Sequence, residues 1–126
     1  VEESADFIAK TGVDALAIAI GNLHGRYVAT PKLNIDRLKE IAYRNNLPLV
    51  LHGGSGTSEK DFKSCIHNGI SKINVATALQ MAVTDAVRKY VETPGANYID
   101  MKYVIADATC ESVKQHILLF ESNGKC

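Results

Sequence analysis

Apolar residues along this chain keep two alternating rhythms, one of helical period and one of short unbroken runs. In the first ten residues Ala5, Ile8 and Ala9 fall on one helical face, and Gly12 follows as a stop. The pattern predicts a helix over 2–11 that reads as the end of a longer one. Ala15 to Ile20 then reads ALAIAI, a run too short for a free helix and typical of a strand buried on both faces of a parallel sheet. Beyond a polar loop with Gly21, Gly25 and Pro31, the residues Ile35, Leu38, Ile41 and Ala42 share a face behind Asn34, a fitting N-cap, and this helix ends near Asn45 and Asn46.

The same sequence of signals repeats twice. Pro48 opens a strand at Leu49-Val50-Leu51, which stops at His52 and the turn HGGSG; Ser58 caps the next helix with Asp61 three residues on, and Gly69 closes it. A third strand is expected at Ile73-Asn74-Val75, running into a helix begun by a T-x-x-Q capping box at Thr77 and Gln80 and broken at Pro94-Gly95. The stretch from Asp100 to Ser122 predicts one last helix, with room for an interruption, ended by Gly124.

A helix, three β-α units and a further helix require a parallel sheet with right-handed crossovers, so the fold class is α/β. Three buried strands alone leave two unpaired edges. They form either a small open sheet or part of a (β/α)8 TIM barrel, of which 126 residues are about half. The second reading makes residues 1–126 a single partial domain.

Composition narrows the class. The 126 residues carry 14 Lys and Arg against 14 Asp and Glu, with 46% hydrophobic positions, the balance of an ordinary globular chain rather than a disordered or fibrous one. A zero net charge without a basic cluster argues against nucleic acid, and no apolar run reaches the roughly 20 residues that span a bilayer. Cys65, Cys110 and Cys126 are widely spaced and form no C-x-x-C pair, so a reducing cytoplasm is expected, with Cys65 and Cys110 as small buried hydrophobes in helices.

In a parallel sheet the loops after the strand C-termini share one mouth. Here they read Gly21 to Gly25, His52 to Gly56 and Asn74 to Thr77. Either loop histidine alone would read as a polar surface residue. Two of them, His24 and His52, at equivalent places on consecutive βα units, suggest zinc, although a catalytic zinc commonly takes three protein ligands. His67, near a helix end, and His116, inside the last helix, are read as a dipole partner and a surface or packing residue. The three glycines of HGGSG let backbone N–H groups approach an anion at the N-terminus of the following helix, a phosphate cradle in kind; the plain alternative is a tight βα turn.

The runs GVDALAIAIGNLHGRY, PLVLHGGSG and KINVATALQMA, in this order and spacing, resemble the C-terminal part of the class II, zinc-dependent ketose-bisphosphate aldolases. The resemblance extends over essentially the whole chain. It implies strands 6 to 8 of a TIM barrel, usually oligomeric, with His24 and His52 as two of three Zn2+ ligands. It implies substrate contacts at Gly25, Gly53, Gly54, Ser55, Asn74, Val75, Ala76 and Thr77, with a monovalent cation, Na+ or K+, near the phosphate. The third zinc histidine and the proton-transferring aspartate of the family lie upstream of this chain, so no catalytic residue is assigned within it.

The activity so implied is reversible cleavage of a ketose 1,6-bisphosphate to dihydroxyacetone phosphate and glyceraldehyde 3-phosphate, completed by the missing N-terminal part of the barrel. Fructose-cleaving members usually carry a polar residue at the position of Ala76. An alanine there resembles the tagatose-bisphosphate branch. A non-catalytic phosphate-binding half-barrel and a self-contained small α/β domain are the competing readings.

Overall fold

The computed structural model describes residues 1–22, 32–54 and 56–125. They fall into two compact units, Val1–Val75 and Ala76–Cys126. The first contains, in order, helix α1 (Glu2–Thr11), strand β1 (Leu16–Ala17), α2 (Ile35–Arg44), β2 (Leu49–Leu51), α3 (Glu59–His67) and β3 (Ile70–Ile73). The second contains α4 (Thr77–Val91) and α5 (Tyr98–Leu119).

The helix boundaries follow from local capping. Gly12 turns left-handed and donates its N–H to Ile8 O at 2.9 Å, ending α1 where the sequence placed the stop. Asn34 Oδ1 accepts the Arg37 N–H at 2.9 Å, and Ser58 Oγ accepts the Asp61 N–H at 3.1 Å while donating to Asp61 Oδ2 at 2.8 Å.

The three strands are parallel in the order β1-β2-β3. The central strand is buried throughout, and Leu49 and Leu51 are fully enclosed with Leu38 of α2 and Cys65 of α3. Ile41, Phe62, Ile18, Ile20 and Ile70 complete this core. An unbroken apolar run in the middle strand is what burial on both faces demands.

Several expectations shift. β1 is shorter than Ala15 to Ile20: Ile18 N–H still reaches Val50 O at 3.4 Å, but the Ile20 N–H is taken by Asn22 Oδ1 and the Ile20 carbonyl by the Asn34 N–H. Side-chain and loop partners thus replace the ladder. β3 begins three residues before Ile73. Gly69, at φ 113°, turns the chain sharply out of α3, and an added Cβ there would lie 2.6 Å from Ala42 Cβ. The strand therefore starts at once with buried Ile70, and a register shift between Leu49 and Val50 leaves Ser71 unpaired. Asn74 lies beyond β3, yet its N–H still donates to Leu51 O at 3.0 Å.

In the second unit Thr77 is the first residue of α4 rather than its cap; Ala76 holds the cap position and no side chain bonds there. α5 runs unbroken from Tyr98 and packs against α4. Its start is set by Asn97, whose side chain accepts the Asp100 N–H at 3.0 Å and whose backbone N–H donates to Tyr90 Oη at 3.0 Å. Its end is not at Gly124: the chain leaves the helix after Leu119, and Glu121 takes the left-handed turn at φ 55°. Cys110 of α5 is exposed, contrary to the expectation of burial, because α5 buries none of its residues. Among the described residues no helix is long and apolar enough to cross a membrane.

Candidate functional site

The C-terminal ends of β1, β2 and β3 meet through side chains. Asn22, just after β1, accepts the Ile20 N–H at 2.8 Å and donates Nδ2 to the His52 carbonyl at 2.8 Å. His52 follows β2 directly and is half-buried. Asn74, following β3, brings its Nδ2 to 3.5 Å from His52 Nδ1 and 3.4 Å from Nε2. Its Oδ1 accepts a hydrogen bond from the Lys72 ammonium. Successive parallel strands thus deliver an imidazole, two carboxamides and an ammonium to one mouth.

The glycine turn lies beside them. Gly53 takes φ 67° and Gly54 is buried, so close to its neighbours that a Cβ would stand 3.1 Å from Phe62 Cε1 and 3.3 Å from Ile73 Cγ2. Thr57 N–H donates to Gly54 O at 3.2 Å, closing the turn. The Thr57 hydroxyl is buried and makes no hydrogen bond among the described residues. The turn then feeds the Ser58 cap, so the first N–H groups of α3 point toward the loop, the arrangement that attracts anions.

His52, Gly53, Gly54, Asn74 and Val75 fall in the first unit, with His52 and Asn74 in contact. Ala76 and Thr77 open the second unit. His24, Gly25 and Ser55 lie outside the described residues. Of the histidines set aside, His67 ends α3, while His116 donates Nδ1–H to Ser112 O at 2.7 Å and packs edge-on against Phe120, an internal helix role. Burial, with Asp61 nearby, pushes the Cys65 thiol up to about 11, so it is neutral and inert in the core.

An imidazole at a strand mouth is a donor of the kind zinc takes, and His52 fits that chemistry. Among the described residues no three His, Cys, Asp or Glu side chains come together as a metal set. Lys72 and Asn22 were missed in the sequence. The alternation of β3 puts Lys72 and Asn74 on one side, a signal that was available; the 30-residue reach from Asn22 to His52 was not.

Residues 1–125 match the family model for class II fructose-bisphosphate aldolase. The chain is 40% identical over 124 residues to the uncharacterized protein YdjI of Escherichia coli K12, covering 98% of this chain and 44% of that protein. It superposes on the crystal structure of the YdjI aldolase with a TM-score of 0.87 at 37% identity, over 98% of this chain and 45% of the other. A candidate fructose-1,6-bisphosphate aldolase of Coccidioides immitis gives a TM-score of 0.87 at 32% identity, over 98% and 43% of the two chains. The chain thus spans less than half the length of these relatives. It belongs to the class II fructose-bisphosphate aldolase family and corresponds to the C-terminal part of its members.

Proposed function

We propose that these residues are the C-terminal strands, about 6 to 8, of a (β/α)8 barrel that cleaves a ketose 1,6-bisphosphate reversibly to dihydroxyacetone phosphate and glyceraldehyde 3-phosphate. The observation that carries the reading is the joined mouth of three parallel strands, where Asn22, His52 and Asn74 meet beside a glycine turn at a helix N-terminus. Active sites of such barrels sit at this face, with phosphate commonly held after the last two strands.

In this reading His52 and His24 hold Zn2+ with a third ligand from the N-terminal part of the barrel. When bound, the metal supplies Lewis-acid polarisation of the ketose carbonyl. The chain's own residues bind and orient. Backbone N–H groups of Gly53 to Ser55 and the start of α3 receive a phosphate, and the unsatisfied Thr57 hydroxyl is a further donor within that turn. Asn74 Nδ2 offers N–H groups beside His52 to a substrate oxygen. The family resemblance adds Gly25, Val75, Ala76 and Thr77 as substrate contacts, with Na+ or K+ near the phosphate. Phosphate binding remote from the reacting carbons fixes their geometry. A cytoplasmic, homo-oligomeric enzyme of carbohydrate metabolism agrees with the cysteine usage and the family.

Ala76 favours tagatose over fructose bisphosphate. The two sugars differ in configuration at C4, and a methyl group at this position grips neither C4 hydroxyl, so a polar group specific for the fructose epimer is lacking.

The test is release of dihydroxyacetone phosphate by the full-length protein from tagatose and fructose 1,6-bisphosphates, before and after chelation and zinc restoration. Turnover that chelation abolishes and zinc restores is the expected result. No turnover of either sugar, or turnover indifferent to the chelator, overturns the reading.

A further inference from the structure

Lys72 is a charged side chain at the mouth that neither the family assignment nor the proposed reaction uses. It is exposed on β3, and its ammonium donates to Asn74 Oδ1. A carboxamide has one acceptor end and one donor end, so engaging the oxygen decides which end faces away. In Asn74 the end facing away is Nδ2, which lies 3.5 Å from one ring nitrogen of His52 and 3.4 Å from the other. At these distances the NH2 makes a long hydrogen bond to the imidazole, and because a carboxamide nitrogen carries two N–H groups, the second stays available to a third group. Turned over, the carboxamide would set its NH2 against the ammonium and its oxygen toward the site, where it could only accept.

We propose that Lys72 is a positioning residue: by holding Asn74 Oδ1 it keeps Asn74 a hydrogen-bond donor toward an oxygen of the phosphorylated ketose. The inference rests on the proposed reading of Asn74 as a substrate contact. The ammonium also adds positive charge to the mouth, which would favour an anionic substrate without any positioning. The two effects separate when Asn74 is removed, because charge attraction survives that change and positioning does not.

The experiment uses the full-length protein with Lys72→Met, Lys72→Arg, Asn74→Ala and the Lys72→Met/Asn74→Ala pair, measured for kcat and KM on both bisphosphates. It adds the side-chain amide 15N–1H spectrum of Asn74, assigned by its loss in Asn74→Ala. Lys72→Met is expected to lower kcat/KM by about tenfold or more, Lys72→Arg to restore most of it, and Lys72→Met to cost little further once Asn74 is alanine. The Asn74 amide signals should move in Lys72→Met and stay near their original place in Lys72→Arg. Losses that add independently in the pair, or amide signals unmoved by Lys72→Met, overturn the inference. If the unsubstituted enzyme cleaves neither sugar, the aldolase reading fails and the amide spectrum alone decides the role of Lys72.

Discussion

The side chain of Asn22 fastens the end of β1 to the carbonyl of His52, 30 residues away, through a 2.8 Å hydrogen bond. Its Oδ1 at the same time accepts the Ile20 N–H at 2.8 Å, so one half-buried carboxamide closes two backbone positions on neighbouring strands. Asn22→Ala leaves both unpaired and is expected to destabilise the full-length protein by about 1–3 kcal/mol, read by urea unfolding. Asn22→Asp keeps the acceptor for Ile20 but sets a carboxylate oxygen against the His52 carbonyl, so it should not recover the loss. An Asn22→Ala variant as stable as its parent would show that water replaces both bonds.

His52 is the one described residue that both faces the mouth and suits a metal. His52→Ala and His24→Ala should each reduce bound zinc and remove nearly all turnover, measured by metal analysis alongside the cleavage assay. Full activity of either variant in chelator-treated buffer contradicts the assignment.

The buried Gly54 has no room for a side chain. In Gly54→Ala the new methyl meets Phe62 and Ile73 at 3.1 and 3.3 Å, tighter than ordinary contact, so the turn or the ring must shift, at a cost of about 1–3 kcal/mol. Because the turn is the proposed phosphate cradle, KM should rise as well. Adding Phe62→Leu should recover part of both losses; no recovery would place the strain elsewhere.

Two cysteines should differ in reactivity. Cys110 is exposed and should react with a thiol reagent in the native protein, whereas Cys65, fully buried, should react only on unfolding. The Cys65 thiol is pushed from 9.0 up to about 11 in the folded state, so folding favours the protonated form. Its contribution to stability is fully present below pH 9.0 and is lost as the pH rises toward about 11, where the unfolded chain ionises first. Unfolding of Cys65→Ala should therefore fall less steeply over that range than unfolding of the parent.

Substrate choice should turn on Ala76. The unsubstituted full-length enzyme is expected to prefer tagatose bisphosphate, and Ala76→Asp to shift kcat/KM toward the fructose epimer at equal zinc loading. A parent preference for fructose bisphosphate of about tenfold, or 1.4 kcal/mol in transition-state binding, refutes this reading.

Signals confined to one turn of chain were legible without any fold. The stop at Gly12, the caps at Asn34 and Ser58, and the buried strand Leu49–Leu51 follow from residues within about four positions of each other, where spacing alone dictates hydrogen bonding or burial. The order of βα units likewise required a parallel sheet and collected His52 and Asn74 at one mouth. Tertiary structure decided the rest. β3 starts at Ile70 because Gly69 must turn against Ala42, a residue of another helix, and β1 stops early because Asn22 competes for its backbone. Thr77 looked like a cap from its spacing to Gln80, yet the helix begins one residue sooner and the hydroxyl is inside it. Periodicity encodes which face of an element is apolar, but a hydrogen bond spanning 30 residues exists only after the strands have paired.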